Sequence, residues 1–338
     1  MTAVHRTGPP SRSVVPDLDL LRAISTSFRP DSVVRVERQL SRYSTSATVE
    51  DVTVVLTDGS AVALLLKDLS PEALLDGARA GKPGFLADPA REMWAYRQLL
   101  PGSAAHRPAR CLAAVDEGHH RWLLLEKVPG VELYQVGDLA VWVEAAAALA
   151  ALHRDLTDRL GHVPEARAHL LKQDATHLHA WMQRALRFEV RRGGGRLAAL
   201  EALAPVHDGV VAVLGELPEV VVHGDLYASN VLVVRSDPVR VCAIDWEMVS
   251  VGPAVLDLAA LTSGSWLDDE RHVMAKAYWS AMDDPRWRPD LDEFLRVLDL
   301  ARLHLCVQWL GWSPDWTPPP EHAHDWLREA RALARRLE

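Results

Sequence analysis

His223-Gly224-Asp225-Leu226-Tyr227-Ala228-Ser229-Asn230 reads H-x-D-x-x-x-x-N, and Asp245 follows Asn230 by fifteen residues. Val220-Val221-Val222 ahead of it is a β-branched run that predicts a buried strand, ended where His223-Gly224 turns the chain. Val231 to Val234 predicts the next strand, Ser236-Asp237-Pro238 supplies turn chemistry, and Val239 to Ile244 runs back toward Asp245. Such a hairpin brings Asp225, Asn230 and Asp245 together on loops at strand ends. An Asp able to take a hydroxyl proton, beside an Asn and a second Asp offering oxygens to Mg²⁺, is the set that in-line phosphoryl transfer requires. Each residue singly also reads as a turn former or a strand end. That reading leaves the set unexplained.

These residues, with Ile244-Asp245-Trp246-Glu247, Gly252-Pro253 and Asp257-Leu258-Ala259, resemble the core of the aminoglycoside phosphotransferase and choline kinase-like superfamily. Protein kinases usually carry Arg where Gly224 stands and Phe-Gly after the metal-binding Asp, so Gly224 and Trp246-Glu247 point to the small-molecule branch. The resemblance implies an α+β, bilobal protein-kinase-like fold, with a small antiparallel-sheet N-lobe and a larger, mainly helical C-lobe. It also implies ATP (or GTP) and Mg²⁺ as cofactors, Asp225 as catalytic base, and Asn230 and Asp245 as metal ligands. Asp257 would brace the catalytic loop, an N-cap being its other reading.

The N-terminal half is an independent test. Val33 to Leu40, Thr48 to Thr57 and Ala61 to Lys67 read as strands, with Asp58-Gly59 as the turn between the last two. Lys67 ends an apolar strand in a chain with only five Lys against 32 Arg, where such a fold places the Lys that holds the α- and β-phosphates. Asp88-Pro89 starts a helix through Leu100, and Glu92 in its first turn is the candidate partner of Lys67, a solvated surface Glu being the alternative. No glycine-rich loop separates the first two strands. Ser44, Thr45 and Ser46 stand there as candidate phosphate contacts, and a polar hairpin loop is the other reading. Arg121 to Glu126 is an apolar strand broken by Lys127-Val128-Pro129-Gly130, which matches a hinge. The backbone groups of Glu126 and Val128 are its candidates for the adenine edge.

The expected organisation is a disordered tail over 1–16, an N-lobe over 17–126, a hinge at 127–130 and a C-lobe over 131–338, with the cleft between the lobes. Helices are expected over Asp138 to Leu160, Leu170 to Arg192 and Glu321 to Leu337, the last after Pro318-Pro319-Pro320. The 338 residues suffice for two lobes. Cys111, Cys242 and Cys306 form no C-x-x-C, which suggests reduced thiols and a cytoplasmic location. No apolar run of bilayer-spanning length and no signal segment is evident, so no membrane partner is expected. The formal charge of −9 disfavours nucleic acid. The H-x-H pairs His177/His179 and His322/His324 read as surface or packing residues rather than metal ligands.

From Val251 onward 15 acidic residues face 10 basic ones, and seven Trp occur: Trp266, Trp279, Trp287, Trp309, Trp312, Trp316 and Trp326. Most read as core, but acids and aromatic faces suit a hydroxylated, possibly cationic small molecule such as an aminosugar or amino alcohol. A Ser/Thr kinase acting on peptides and a catalytically silent nucleotide-binding protein are the alternatives. A silent relative would typically have lost Lys67, Asp225, Asn230 or Asp245, and all four are present.

Overall fold

The computed structural model describes residues 4–7, 11, 13–29, 31–44, 46–103, 107–193, 195–234, 240–287, 289–312 and 324–337. The chain forms two compact units, one of Met1–Lys82, Ala87–Pro101 and Pro108–Pro129, the other of Pro83–Leu86, Gly102–Arg107 and Gly130–Glu338.

The first unit is built on a six-stranded sheet. Its strands are β1 (Val4–Thr7), β2 (Val33–Leu40), β3 (Thr48–Leu56), β4 (Ala61–Asp68), β5 (Cys111–Glu117) and β6 (His120–Glu126), in the order β1-β2-β3-β4-β6-β5. All neighbours are antiparallel except β1, which runs parallel to β2. Three helices join the sheet: α1 (Asp17–Ser27), α2 (Asp76–Gly81) and α3 (Pro89–Trp94). Strand alternation sorts the faces. Val52, Val54, Leu64, Leu66, Trp122 and Leu124 form one buried cluster with Leu20 and Ile24, which are four residues apart on α1. Lys67, one residue beyond Leu66, points to the opposite face and pairs in register with Leu123. Helix α3, which packs against β6, is capped by Asp88 accepting from the Ala90 amide at 3.0 Å and continues as a π-turn over Ala95–Leu99.

Of the tail expected to be disordered through residue 16, the described residues, 4–7, 11 and 13–16, are ordered instead. Val4–Thr7 pairs with Val36 to Gln39, and Val15 is buried. The anchors are charged residues distant in sequence. Asp68 Oδ2 accepts from Ser13 Oγ at 2.9 Å and from the Val14 amide at 2.8 Å. Arg38, 1% exposed, donates to Glu50 at 2.6 Å, to Asp17 at 2.6 Å and to the Val15 carbonyl at 3.1 Å. A buried guanidinium persists only when its donors are met this fully.

In the second unit β7 (Val131–Glu132) leads to α4 (Leu139–Gly161), whose N-cap Asp138 accepts from the Ala140 amide. Then come β8 (Leu171–Lys172), α5 (Ala175–Arg192), α6 (Leu197–Gly215), β9 (Glu219–Val222), β10 (Val231–Val234), β11 (Arg240–Ala243) and β12 (Ser250–Pro253). The chain closes with α7 (Val255–Leu261), α8 (Asp268–Ala281), α9 (Leu291–Leu310) and α10 (Trp326–Leu337). The helix expected from Leu170 begins instead at Ala175, because Leu171 and Lys172 pair with β12 and Asp174 caps the helix through the His177 amide. Gly193, at φ 61°, ends it in the left-handed conformation that favours glycine. The Ser236-Asp237-Pro238 turn and Pro318 to Pro320 lie outside the described residues.

One further correction concerns α6. It is 19 residues long and holds an 18-residue stretch of mean hydropathy 1.6, long and apolar enough by length and composition to cross a bilayer. Here Leu200, Leu203, Val210, Val211 and Leu214 are buried, and the helix packs on α5, α9 and α10.

Two small sheets position the candidate site, ordered β11-β10-β7 and β8-β12-β9. The chain crosses from the second to the first through residues 223–230 and returns through 244–249. Val222 and Ser250 are register partners in one sheet, Val231 and Ala243 in the other. Both crossings carry the residues singled out in the sequence.

Candidate active site

The loop from His223 to Asn230 is held from beneath by one carboxylate. Asp257, buried in the first turn of α7, accepts the His223 amide on Oδ2 at 2.6 Å and the Gly224 amide on Oδ1 at 2.9 Å. His153 of α4 lies with Nε2 3.0 Å from Oδ2 of Asp257, and its Nδ1 is 2.8 Å from the Tyr278 hydroxyl of α8. Burial alone would raise the Asp257 carboxyl, but the hydrogen bond and electrostatic pull of the His153 ring, with those of His223 and its amide, outweigh it and hold it below the usual value. Burial raises the Tyr278 phenol, so it stays protonated and donates to His153, which donates to Asp257. Residues from three helices thus fix two consecutive amides of one loop.

His223 completes the frame. Its Nε2 donates to the Ile244 carbonyl at 2.8 Å and its Nδ1 accepts the Asp225 amide at 3.3 Å. Burial keeps this imidazole neutral against the pull of Asp257, which suits those two roles. The ring lies 4.5 Å from that of the buried Trp246. Gly224 has φ +83°, and a Cβ on it would come 2.2 Å from the Met248 carbonyl oxygen. Any side chain here, Arg included, would displace the Trp246–Met248 turn of the returning crossing.

Asp225 and Asn230 are half-buried and linked: Asn230 Nδ2 donates to the Asp225 carbonyl at 2.8 Å and to Asp225 Oδ2 at 3.0 Å. The Asn230 carbonyl accepts the Ile244 amide at 2.9 Å, which brings Asp245 beside Asn230. Asp245 is one of two non-glycine residues with positive φ among those described, at φ 65° and ψ 64°. A left-handed residue is costly unless its surroundings impose it, and such residues gather at functional sites. The amide nitrogen of Asn230 is committed to Asp225, so its Oδ1 is the oxygen left to present. With the Asp245 carboxylate it makes a hard oxygen set of the kind Mg²⁺ takes.

In the sheet unit, Lys67 Nζ lies 2.8 Å from Oε1 and 2.7 Å from Oε2 of Glu92, the two side chains being 12% and 1% exposed. Glu92 therefore points inward rather than into solvent. The Ser44 hydroxyl closes its own loop, accepting the Val49 amide at 2.9 Å and donating to the Val49 carbonyl at 3.0 Å. The Ser46 carbonyl accepts the Leu75 amide at 3.1 Å, and Thr45 lies outside the described residues. The Glu126 amide donates to the Arg110 carbonyl at 2.8 Å, which leaves its carbonyl rather than its amide for an adenine edge, and Val128 is buried.

Three supports were not legible as such in the sequence: His153, Tyr278 and the seat that Met248 occupies under Gly224. The Leu152-His153 pair near the end of α4 was the available signal for the first. Aromatic packing was a second gap. Tyr227, two residues after Asp225, packs on Trp309 with centroids 5.3 Å apart, and Trp309 packs on Trp326 at 5.5 Å and on Trp312 at 6.1 Å. These three Trp are half-buried rather than core.

A family model described as a phosphotransferase enzyme family matches residues 53–295. No curated protein matches the sequence significantly. Solved structures do match in fold. A choline kinase from Cryptosporidium parvum Iowa II superposes with a TM-score of 0.60 at 15% identity, covering 95% of this chain and 94% of that one. A Plasmodium vivax ethanolamine kinase gives 0.57 at 12% identity, covering 95% and 88%. The GDP complex of wild-type aminoglycoside 2'-phosphotransferase-IIIa gives 0.57 at 16% identity, covering 94% and 97%. At these identities the likeness establishes the fold, an α+β kinase-like one.

Proposed function

The chain belongs to the phosphotransferase enzyme family, and from that premise we propose that it moves the γ-phosphate of ATP or GTP to a hydroxyl of a small, amine-bearing molecule. One observation carries the reading: Asp225 and Asn230 on one crossing are linked to each other and brought beside Asp245 on the other by the Ile244 amide on the Asn230 carbonyl, while Asp257 holds the first crossing at its His223 and Gly224 amides.

Asp225 takes the proton of the acceptor hydroxyl. In a loose transition state that hydroxyl becomes acidic late, so a weak, well-placed carboxylate suffices. The acceptor oxygen forms the new bond to the γ-phosphorus as the bond to the β-phosphate oxygen breaks, and the nucleoside diphosphate leaves. Asn230 orients Asp225 through its Nδ2 contact and, with Asp245, would hold Mg²⁺, which when bound neutralises charge building on the transferred group. Lys67, kept in place by Glu92, contacts the α- and β-phosphates; the loop of Ser44 to Ser46 and the backbone of Glu126 and Val128 serve the rest of the nucleotide.

The acceptor class rests on the aromatic run from Tyr227 to Trp309, Trp312 and Trp326, together with the acidic balance after Val251. An ammonium group is attracted to such faces and to carboxylates alike. The named activities of the three structural neighbours all concern amines that carry hydroxyls. The test is a panel of aminoglycosides, amino alcohols, neutral sugars and hydroxyl-bearing peptides, each incubated with purified protein, ATP or GTP and Mg²⁺, with products identified by mass. Phosphorylated amino alcohol or aminosugar is the expected product. Transfer only to peptides would replace this reading with a peptide kinase, and nucleotide binding without any transfer would replace it with a silent regulatory protein.

A further inference from the structure

Helices α5, α6 and α9 pack against one another in the second unit. At their contact His179 of α5 and His207 and Asp208 of α6 offer two ring nitrogens and a carboxylate oxygen, all within 4.8 Å of one another. His179 Nδ1 and Asp208 Oδ1 are 3.4 Å apart. None of the three takes part in the phosphotransfer site.

His207 is the informative member. It is 0% exposed, and its Nε2 is engaged 3.0 Å from Nδ1 of the buried His304 on α9. Its Nδ1 is also buried yet has no hydrogen-bond partner. Leaving such a buried atom unsatisfied is costly, and native structures rarely do so without a use for it. With the shared proton on His207 Nε2, that atom donates to His304 and Nδ1 presents a lone pair. A ligating histidine that gives its other N–H to a fixed acceptor is the usual arrangement in metal sites.

We propose that His179, His207 and Asp208 form a binding site for a divalent transition ion of the Zn²⁺ class. Two imidazoles and one carboxylate suit that class and not Mg²⁺, which takes oxygen ligands. A tetrahedral ion with bonds near 2.0–2.1 Å holds its ligand atoms about 3.3 Å apart, close to the existing His179–Asp208 separation of 3.4 Å. The side chains of His179 and Asp208 are 38% and 66% exposed and can swing the remaining distance, while His207 stays fixed by packing. Water fills the fourth position.

The test uses the full chain, stripped with chelator and then titrated with Zn²⁺ by calorimetry and with Co²⁺ by visible absorption, Mg²⁺ serving as the control ion. One equivalent of Zn²⁺ should bind, raise the Tm and be matched by a Co²⁺ d–d band, with no such response to Mg²⁺. His179→Ala and Asp208→Asn, both surface changes, should each weaken Zn²⁺ binding about tenfold or more. The double variant His322→Ala/His324→Ala should bind as the parent does. Absence of saturable Zn²⁺ binding, binding unaltered in both His179→Ala and Asp208→Asn, or binding lost only in the His322/His324 variant would each overturn the proposal.

Discussion

Lys67 and Asp257 are both ionic side chains locked by buried partners, but what each holds differs. Lys67 meets Glu92 side chain to side chain, so the pair fixes where a cation sits without shaping the backbone. Asp257 grips two consecutive amides and a histidine, so the path of the loop depends on it. The first arrangement is replaceable by another that fills the same space. The second is not, because backbone amides cannot be substituted away.

The largest effect expected separates the reacting group from its scaffold. Asp225→Asn keeps the shape and removes basicity, so kcat should fall by about 10²- to 10⁴-fold with nucleotide affinity and Tm little changed. Wild-type turnover of a confirmed acceptor by this variant would remove Asp225 as the base.

Next comes the anchor itself. Asp257→Ala leaves two amides and the His153 ring without their acceptor, and should cost about 3–5 kcal/mol in urea denaturation. The pH dependence sharpens this. The carboxyl is held below its usual 3.8, so its contribution is present above that value and is lost as pH falls through the lowered pKa. The stability gap between parent and variant should therefore be constant down to about pH 4 and narrow only below it. A gap that closed between neutral pH and about pH 5 would mean that something other than this carboxylate is responsible.

Gly224→Ala probes the same region without touching charge. A Cβ 2.2 Å from the Met248 oxygen, at φ +83°, should cost about 3 kcal/mol by strain and overlap. A Tm within experimental error of the parent would show that the turn carrying Met248 can yield.

The smallest effect is expected in the sheet unit. Lys67→Met should raise the KM for nucleotide roughly 10- to 100-fold, the worth of a lost charge-assisted contact, and leave Glu92 buried without its cation. Adding Glu92→Gln should recover the stability lost but not the nucleotide affinity. If the double variant stayed as unstable as Lys67→Met, the pair would be shaping backbone after all, and the contrast with Asp257 would disappear.

The motif residues were legible because their spacing is rigid: H-x-D-x-x-x-x-N fits one loop, and the hairpin that follows fixes where Asp245 returns. Lys67 was legible from its rarity in an apolar strand, and Glu92 from helix periodicity. What sequence did not reveal shares one physical cause, contact across long separations. His153 and Tyr278 meet 125 positions apart. Ser13 to Val15 looked featureless because their order comes from Asp68 and Arg38, charged residues that read as surface until their partners are seen. The carbonyl beneath Gly224 has no side-chain signature at all, since any residue at 248 would supply it.

Asp257 also sets the timescale on which the loop can open. The amide hydrogens of His223 and Gly224 are bonded to a carboxylate carried by a wholly buried helix, so exchange with solvent deuterium must wait for that helix to leave the core. The segment leading into Asp225 thus belongs to the slow-exchanging part of the molecule rather than to its fraying surface. On heating, inactivation should run in step with cooperative melting of the helical unit instead of preceding it.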